Sequence, residues 1–322
     1  MELIRGLHNL QPRHRGCVLS IGNFDGVHLG HRAILARLGE LAGLHALPPL
    51  VLLFEPQPSE FFAPDKAPAR LTPLREKLEH LHALHLERIL CLPFHARLAA
   101  MAAETFITDV LVARLGVRAL VVGDDFRFGH GRAGDSTMLR EFGGRLGFTV
   151  ESHPTHLVDG ARVSSSRIRA CLAAGDLAGA ARLLGRPYTL GGRVAQGRRL
   201  AREWGFPTLN VRLKKPPPIS GIFTGRVAGI APQTLPAVVY VGYRPVFGDP
   251  RPVLEAHLLD FTTDGEAYGA RIRVDLLEKI RDDAHFSSLD ALRAQIALDA
   301  ETARRRLGVP ATPAPTEDLP IP

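Results

Sequence analysis

Apolar residues are distributed in two textures along this chain. Through the first half, short apolar runs at 17–22, 49–54, 88–92, 118–123 and 147–152 alternate with stretches near 29–42, 72–84, 103–115 and 136–146, where apolar positions recur three and four apart. The runs read as buried strands and the spaced stretches as helix faces. This alternation predicts an α/β domain built on an open, doubly wound parallel sheet. From about 187 the runs are separated by Gly, Pro and Asp clusters, at 188–195, 207–213, 222–229, 236–241, 252–261 and 268–276. Many short strands with turn signals predict a small antiparallel β-barrel or sandwich. Residues 287–307 return to helical spacing, with Ser287 as cap, Asp290 in the capping-box position and Gly308 as the stop. Leu289, Leu292, Ile296, Ala300, Ala303 and Leu307 form the stripe expected to be buried. Domains at 1–184 and 187–308 follow, leaving a proline-rich tail, 309–322, that is expected to be disordered.

Composition narrows the class. With 322 residues, 45% of them hydrophobic, the chain can form two domains with cores of their own. The longest apolar run, Leu50 to Phe54, is too short to span a bilayer, and no secretory signal is recognisable at the start. Three widely separated cysteines give no disulfide framework, so a cytoplasmic location is expected. The net charge of +7 suits nucleic acid and polyphosphate substrates equally. No nucleic-acid-binding motif accompanies the scattered basic residues.

The most informative stretch is GNFDGVHLGH at 22–31, placed between a strand and a helix. His28 and His31 are three apart and share a helical face. Helix N-termini suit phosphate, and Gly22, Gly26 and Gly30 let backbone approach a ligand closely. Asn23, Phe24 and Asp25 complete the turn. Two plainer readings compete: half of a metal site, for which no matching ligands follow, and ordinary surface histidines in a chain with fourteen of them.

Two further stretches carry similar chemistry. VVGDDFRFGHGRAGD at 121–135 again follows a strand. Arg127 and Arg132 can contact phosphate, while Asp124 and Asp125 can hold ribose or a cation; a plain solvated loop is the alternative. VSSSRIRACL at 163–172 leads three hydroxyls into a helix. Ser164 and Ser165 would donate to phosphate oxygens, with Arg167 clamping the leaving group and Ser166 as the cap; hydroxyls that merely cap the helix are the alternative.

Taken in order, GNFDGVHLGH, the REK at 75–77, VVGDDFRFGHGRAGD, VSSSRIR, GFPTLNV at 205–211 and LEAHLLDF at 254–261 resemble the bacterial bifunctional riboflavin kinase/FAD synthetases. The resemblance covers nearly all of the chain outside the tail. It implies an N-terminal nucleotidyltransferase domain that transfers AMP from ATP to FMN, and a C-terminal barrel that phosphorylates riboflavin from ATP. His28 and His31 would then stabilise charge on the ATP phosphates. Gly22, Asn23, Phe24, Asp25, Gly30, Gly123, Asp125, Arg132, Ser164, Ser165 and Arg167 would line the nucleotide and phosphate side. Phe126, Arg281 and Phe286 would contact flavin. FEPQP at 54–58 departs from the usual pattern in carrying Gln57 where histidine is common.

The barrel implied by the resemblance is no P-loop kinase, since GxxxxGK[ST] is absent. Thr208 and Asn210 share a strand face and can hold Mg2+ with an ATP oxygen; a polar exposed strand face is the plain alternative. Glu255 resembles the general base for the flavin hydroxyl. Ala201, Glu203, Trp204, Tyr240 and Val246 depart from the kinase pattern. The resulting expectation is a two-activity enzyme using riboflavin, FMN and ATP, with no specific nucleic acid and no membrane partner. A chain that only adenylylates FMN, and a basic barrel that binds RNA, are the alternatives.

Overall fold

The computed structural model describes residues 1–196, 206–244, 249–261 and 267–310. The departures at Ala201, Glu203, Trp204 and Val246, and nearly all of the 309–322 tail, lie outside these residues. The chain divides into two compact units, Met1–Ser165 and Ser166–Pro322.

The first unit is built on six parallel strands: β1 (Glu2–Arg5), β2 (Cys17–Ile21), β3 (Pro49–Glu55), β4 (Arg88–Pro93), β5 (Val117–Gly123) and β6 (Thr149–His153), in spatial order β1-β4-β3-β2-β5-β6. Their helices are α1 (Leu29–His45), α2 (Pro58–Phe62), α3 (Leu74–His82), α4 (Ala96–Ala99), α5 (Ala103–Thr105) and α6 (Ser136–Leu146). α5 continues over Phe106–Arg114 in wider π turns. A small antiparallel hairpin, β7 (Leu157–Val158) and β8 (Ala161–Arg162), follows the sheet.

The expected double winding is visible in the side chains. Cys17, Leu19 and Ile21 of β2, Leu50 and Leu52 of β3, and Leu120 and Val122 of β5 enter one core, with Phe106, Ile107, Val110 and Leu139. The intervening Val18, Val51, Leu53, Ala119 and Val121 enter the other, with Leu35, Leu38 and Leu41 of α1 and Leu81 of α3. Both faces of the sheet are therefore buried, which is why its strands read as continuous apolar runs. β1 was not expected. Its four residues bury only Ile4, and it pairs on one side with β4, so the run lacks an apolar signature.

The second unit contains α7 (Ser165–Ala173, whose first residue closes the first unit), α8 (Leu177–Leu184) and a closed barrel. The barrel strands are β9 (Tyr188–Ala195), β10 (Thr208–Arg212), β11 (Gly221–Ala228), β12 (Leu235–Arg244), β13 (Asp249–Leu258) and β14 (Arg271–Arg281). They close in the antiparallel order β10-β13-β12-β11-β14-β9. All six expected strands are present, the last shifted toward the C-terminus. The terminal helix α9 (Leu289–Leu307) stops at Gly308, whose φ of +66° is left-handed. Its cap is Ser288, one residue later than expected: Ser288 Oγ accepts from the Ala291 N–H at 3.1 Å. The expected stripe also needs correction. Leu289 is exposed, whereas Ala300 and Ala303 pack with Leu259, and the acidic Asp299 is buried beside them.

Candidate active sites

In the first unit the strand order reverses at β2 and β5, the place where ligands bind such sheets, outside the strand carboxyl ends. GNFDGVHLGH leaves β2 there and the Gly123 turn leaves β5. The loop backbone is unusual: Phe24 and Val27 are left-handed, with φ of 46° and 41°. Such a conformation costs a non-glycine residue of order 1–3 kcal/mol, and a β-branched valine adopts it rarely.

The structure shows what holds the loop. The buried Asp25 carboxylate accepts the N–H of Leu71 at 3.1 Å and of Thr72 at 3.1 Å. Thr72 Oγ1 accepts the Gly26 N–H at 3.0 Å, and Lys77 Nζ donates to the Asn23 carbonyl at 2.6 Å. Ser165 Oγ donates to the Asp25 carbonyl at 2.9 Å. Asp25 thus binds backbone groups, at Leu71 and Thr72.

His28 is the N-cap of α1, its Nδ1 accepting the His31 N–H at 3.3 Å. The two imidazoles stack with centroids 3.6 Å apart and planes 15° from parallel. Phe24 leans on His31 at 5.1 Å. Gly30 makes room for this stack, because a Cβ there would lie 3.3 Å from the His28 ring; one at Gly22 would lie 3.0 Å from the Phe24 ring. Among the described residues, His31 Nδ1 is buried without a hydrogen-bond partner. Burial, then the His28 ring, then the Lys77 ammonium hold the His31 pKa well below 6.5.

Asp124 and Asp125, after β5, fasten the β7–β8 hairpin. Asp124 accepts from the Thr155 N–H at 3.1 Å and its hydroxyl at 2.7 Å, while Asp125 pairs with Arg162. Arg162 was not singled out from the sequence, because an arginine in a short hairpin carries no spacing signal. Arg127 is committed to Asp135, the N-cap of α6, at 3.0 Å. Arg132 is exposed, left-handed at φ 61°, and its guanidinium has no side-chain partner among the described residues. Phe126 is half-buried and stacks on Phe128 at 5.6 Å.

α7 begins at Ser165, which places Ser166 inside the first turn rather than at the cap; Arg167 follows it there. Also unforeseen is an aromatic group beyond β3 and β4. Phe54, Phe61, Phe62 and Phe94 meet edge-to-face at 5.3–5.7 Å, and Phe62 is 67% exposed. Gln57 starts α2 in a capping box with Glu60.

In the barrel, Thr208 lies opposite His257 and Asn210 opposite Glu255 on adjacent strands. All four are half-buried, while the alternating Leu209, Val211, Leu254 and Ala256 fill the barrel. One polar face therefore carries a hydroxyl, an amide and a carboxylate. Asn210 Nδ2 donates to the Thr208 carbonyl at 3.0 Å. Beside this face, Phe206, Pro207, His257, Leu258, Asp260 and Arg304 line a cavity of about 400 Å3. Arg281 is held bidentately by Asp299, at 2.8–3.1 Å, and its guanidinium lies 5.6 Å from the Phe286 ring centroid.

Fold and sites define a nucleotidyltransferase-type sheet followed by a kinase-type barrel. Residues 10–167 match the family model for FAD synthetase, and residues 184–307 that for riboflavin kinase. The chain is 50% identical over 311 residues to the bifunctional riboflavin kinase/FMN adenylyltransferase of Escherichia coli K12, covering 96% of this chain and 99% of the relative. It is 49% identical to that of Pseudomonas fluorescens, covering 94% and 97%. A solved structure from Streptococcus pneumoniae, described as a macrolide-efflux protein, superposes with a TM-score of 0.80 at 26% identity, covering 94% of this chain and 99% of that one. The chain belongs to the bifunctional riboflavin kinase/FMN adenylyltransferase family. No helix among the described residues is long and apolar enough to cross a membrane.

Proposed function

We infer that this enzyme makes FAD from riboflavin in two ATP-consuming steps, phosphorylation in the barrel and adenylylation on the sheet. The observation that carries the residue assignment is the stacked His28–His31 pair at the N-terminus of α1, on the edge where the sheet order reverses. During adenylylation an FMN phosphate oxygen bonds to the α-phosphorus of ATP as the bond to pyrophosphate breaks. Such transfer needs positioning and charge stabilisation rather than a covalent enzyme intermediate. His28, His31 and the first N–H groups of α1, with Gly22 and Gly30 allowing close approach, supply both. Asn23, Phe24 and Asp25 keep the loop in shape. Gly123, Asp125, Arg132, Ser164, Ser165 and Arg167 serve the nucleotide and phosphate side. Phe126 and the exposed edge of the Phe54–Phe61–Phe62–Phe94 group offer the flavin ring an aromatic surface.

In the barrel, Glu255 takes the proton from the riboflavin 5′-hydroxyl as its oxygen attacks the γ-phosphorus and ADP leaves. The oxygen donors of Thr208, Asn210 and Glu255 on one face fit a hard cation, and Thr208 and Asn210 would hold Mg2+. Bound there, it would neutralise phosphate charge. The neighbouring cavity, about 400 Å3, would take the adenine. Arg281, fixed by Asp299, presents Phe286 toward flavin. We assign the modules to 1–184 and 187–308, in keeping with the family matches at 10–167 and 184–307, although residues 166–184 group with the barrel in compactness. The three free cysteines accord with a cytoplasmic enzyme.

The test is a time course with riboflavin, ATP and magnesium, resolving riboflavin, FMN and FAD. FMN first and FAD second is the expected result. FAD from supplied FMN with no FMN from riboflavin would remove the kinase assignment.

A further inference from the structure

The REK at 75–77 belongs to the sequence pattern of the family, yet neither reaction above uses Lys77. It is the most deeply buried charged side chain among the described residues, 1% exposed, and sits on α3 beneath the GNFDGVHLGH loop. A buried ammonium is costly unless it is bonded and its charge compensated. Its bond is to the loop itself, from Nζ to the Asn23 carbonyl at 2.6 Å. That carbonyl directly precedes the left-handed Phe24, whose ring rests on His31.

Segment 71–77 therefore grips the loop at three places: the Asp25 carboxylate, the Gly26 N–H and the Asn23 carbonyl. Only the last grip carries a positive charge. We propose that Lys77 is a positioning residue for adenylyl transfer: from below the loop it fixes the Asn23 carbonyl and sets its charge against the His31 ring.

Burial, the largest influence, lowers the Lys77 pKa and Arg70 adds to it, while Asp25 on the loop and Glu55 at the end of β3 act against that fall and favour the charged ammonium. At His31 the ammonium adds to burial and to His28 in favouring the neutral ring. A neutral imidazole can stack on another without repulsion, as His31 does on His28. It remains a hydrogen-bond donor through one nitrogen.

This inference rests on the assignment of His31 to phosphate, and the experiment separates the two. Lys77→Met removes bond and charge, while Lys77→Gln keeps a donor for the Asn23 carbonyl without the charge. Both are made in the full chain, with the unfolding midpoint of the first unit as the check of its folding and riboflavin phosphorylation as the check on the second unit. The expected result for Lys77→Gln is folded protein whose FMN-to-FAD kcat falls tenfold or more, with KM for ATP and FMN changed less than threefold. Its His31 ring, followed by NMR, titrates at a higher pH than in the parent because a like charge has gone. Lys77→Met is expected to behave the same way where it folds; its failure to fold leaves Lys77→Gln to decide.

An unchanged kcat in Lys77→Gln, or a lower kcat with an unmoved His31 titration, overturns the proposal. His31→Gln is measured alongside. Full transfer activity in that variant would sink the assignment of His31 itself, whereas loss there combined with normal Lys77→Gln would sink only the role of Lys77.

Discussion

Asn210 on β10 and Glu255 on β13 stand directly opposite one another across an antiparallel pair, so their side chains leave the barrel on the same side. Forty-five residues of sequence separate a polar strand position from the carboxylate that gives it meaning. Pairing of β10 with β13 is what brings the two side chains onto one face of the candidate site.

That pairing leads to a division of labour that can be measured. Glu255→Gln is expected to slow riboflavin phosphorylation by about 10²–10⁴-fold, the usual worth of a positioned general base. FAD formation from supplied FMN should continue at the parental rate. The two rates, measured on one preparation, check it.

The converse holds for His31. Removing one preorganised donor to a transition-state oxyanion typically costs about 10²–10³ in kcat. His31→Gln should therefore lose adenylyl transfer by roughly that factor and retain riboflavin phosphorylation. Chromatographic assay of both products distinguishes this from general damage.

His31 also predicts a pH effect on stability. Its folded-state pKa is depressed below the ordinary 6.5, so the stability associated with the neutral ring is complete above that value. It is lost progressively as pH falls from 6.5 toward the folded-state pKa, because the unfolded chain takes up the proton first. Urea unfolding of the full chain followed by a probe in the first unit should show this decline. In His31→Gln the decline should be shallower.

Asp25 predicts a stability change without a direct chemical one. Its carboxylate accepts from two buried backbone N–H groups, and Lys77 lies within its electrostatic reach. Asp25→Ala leaves those donors unpaired, at about 1–3 kcal/mol for each such buried group. A lower unfolding midpoint for the first unit, with riboflavin phosphorylation intact, is the expected outcome.

Phe62 offers the opposite case. At 67% exposure its ring contributes little to the core, so Phe62→Ala should leave the melting temperature unchanged within a degree or so. A several-fold rise in KM for FMN, with KM for ATP unaffected, would mark the ring as part of the flavin surface.

The fold was largely legible because burial on both faces makes each strand of the sheet a bare apolar run, as Leu50–Leu53 shows. The same rule explains what was missed: β1, at the sheet edge, buries a single residue and has no such run. The candidate site is legible in the sequence where glycine and histidine cluster in a short stretch, as at 22–31. Partners supplied by distant segments were not. Thr72 for the loop, Arg162 for Asp125, and Asp299 for Arg281 are ordinary polar residues in sequence, defined only by what the fold brings against them. Leu289 shows the reverse error, since helical spacing can suggest a buried face that the neighbouring barrel does not cover.

The alternation along β5 has a consequence for how the first site can change over time. Ala119 and Val121 belong to one core and Leu120 and Val122 to the other. Slipping the strand by one position would exchange the contents of both cores at once. The exit of β5 at Gly123 is thereby indexed like a toothed wheel, and the turn it feeds cannot creep along the sheet edge. Insertions can lengthen that turn, but its starting point is set by packing remote from any substrate.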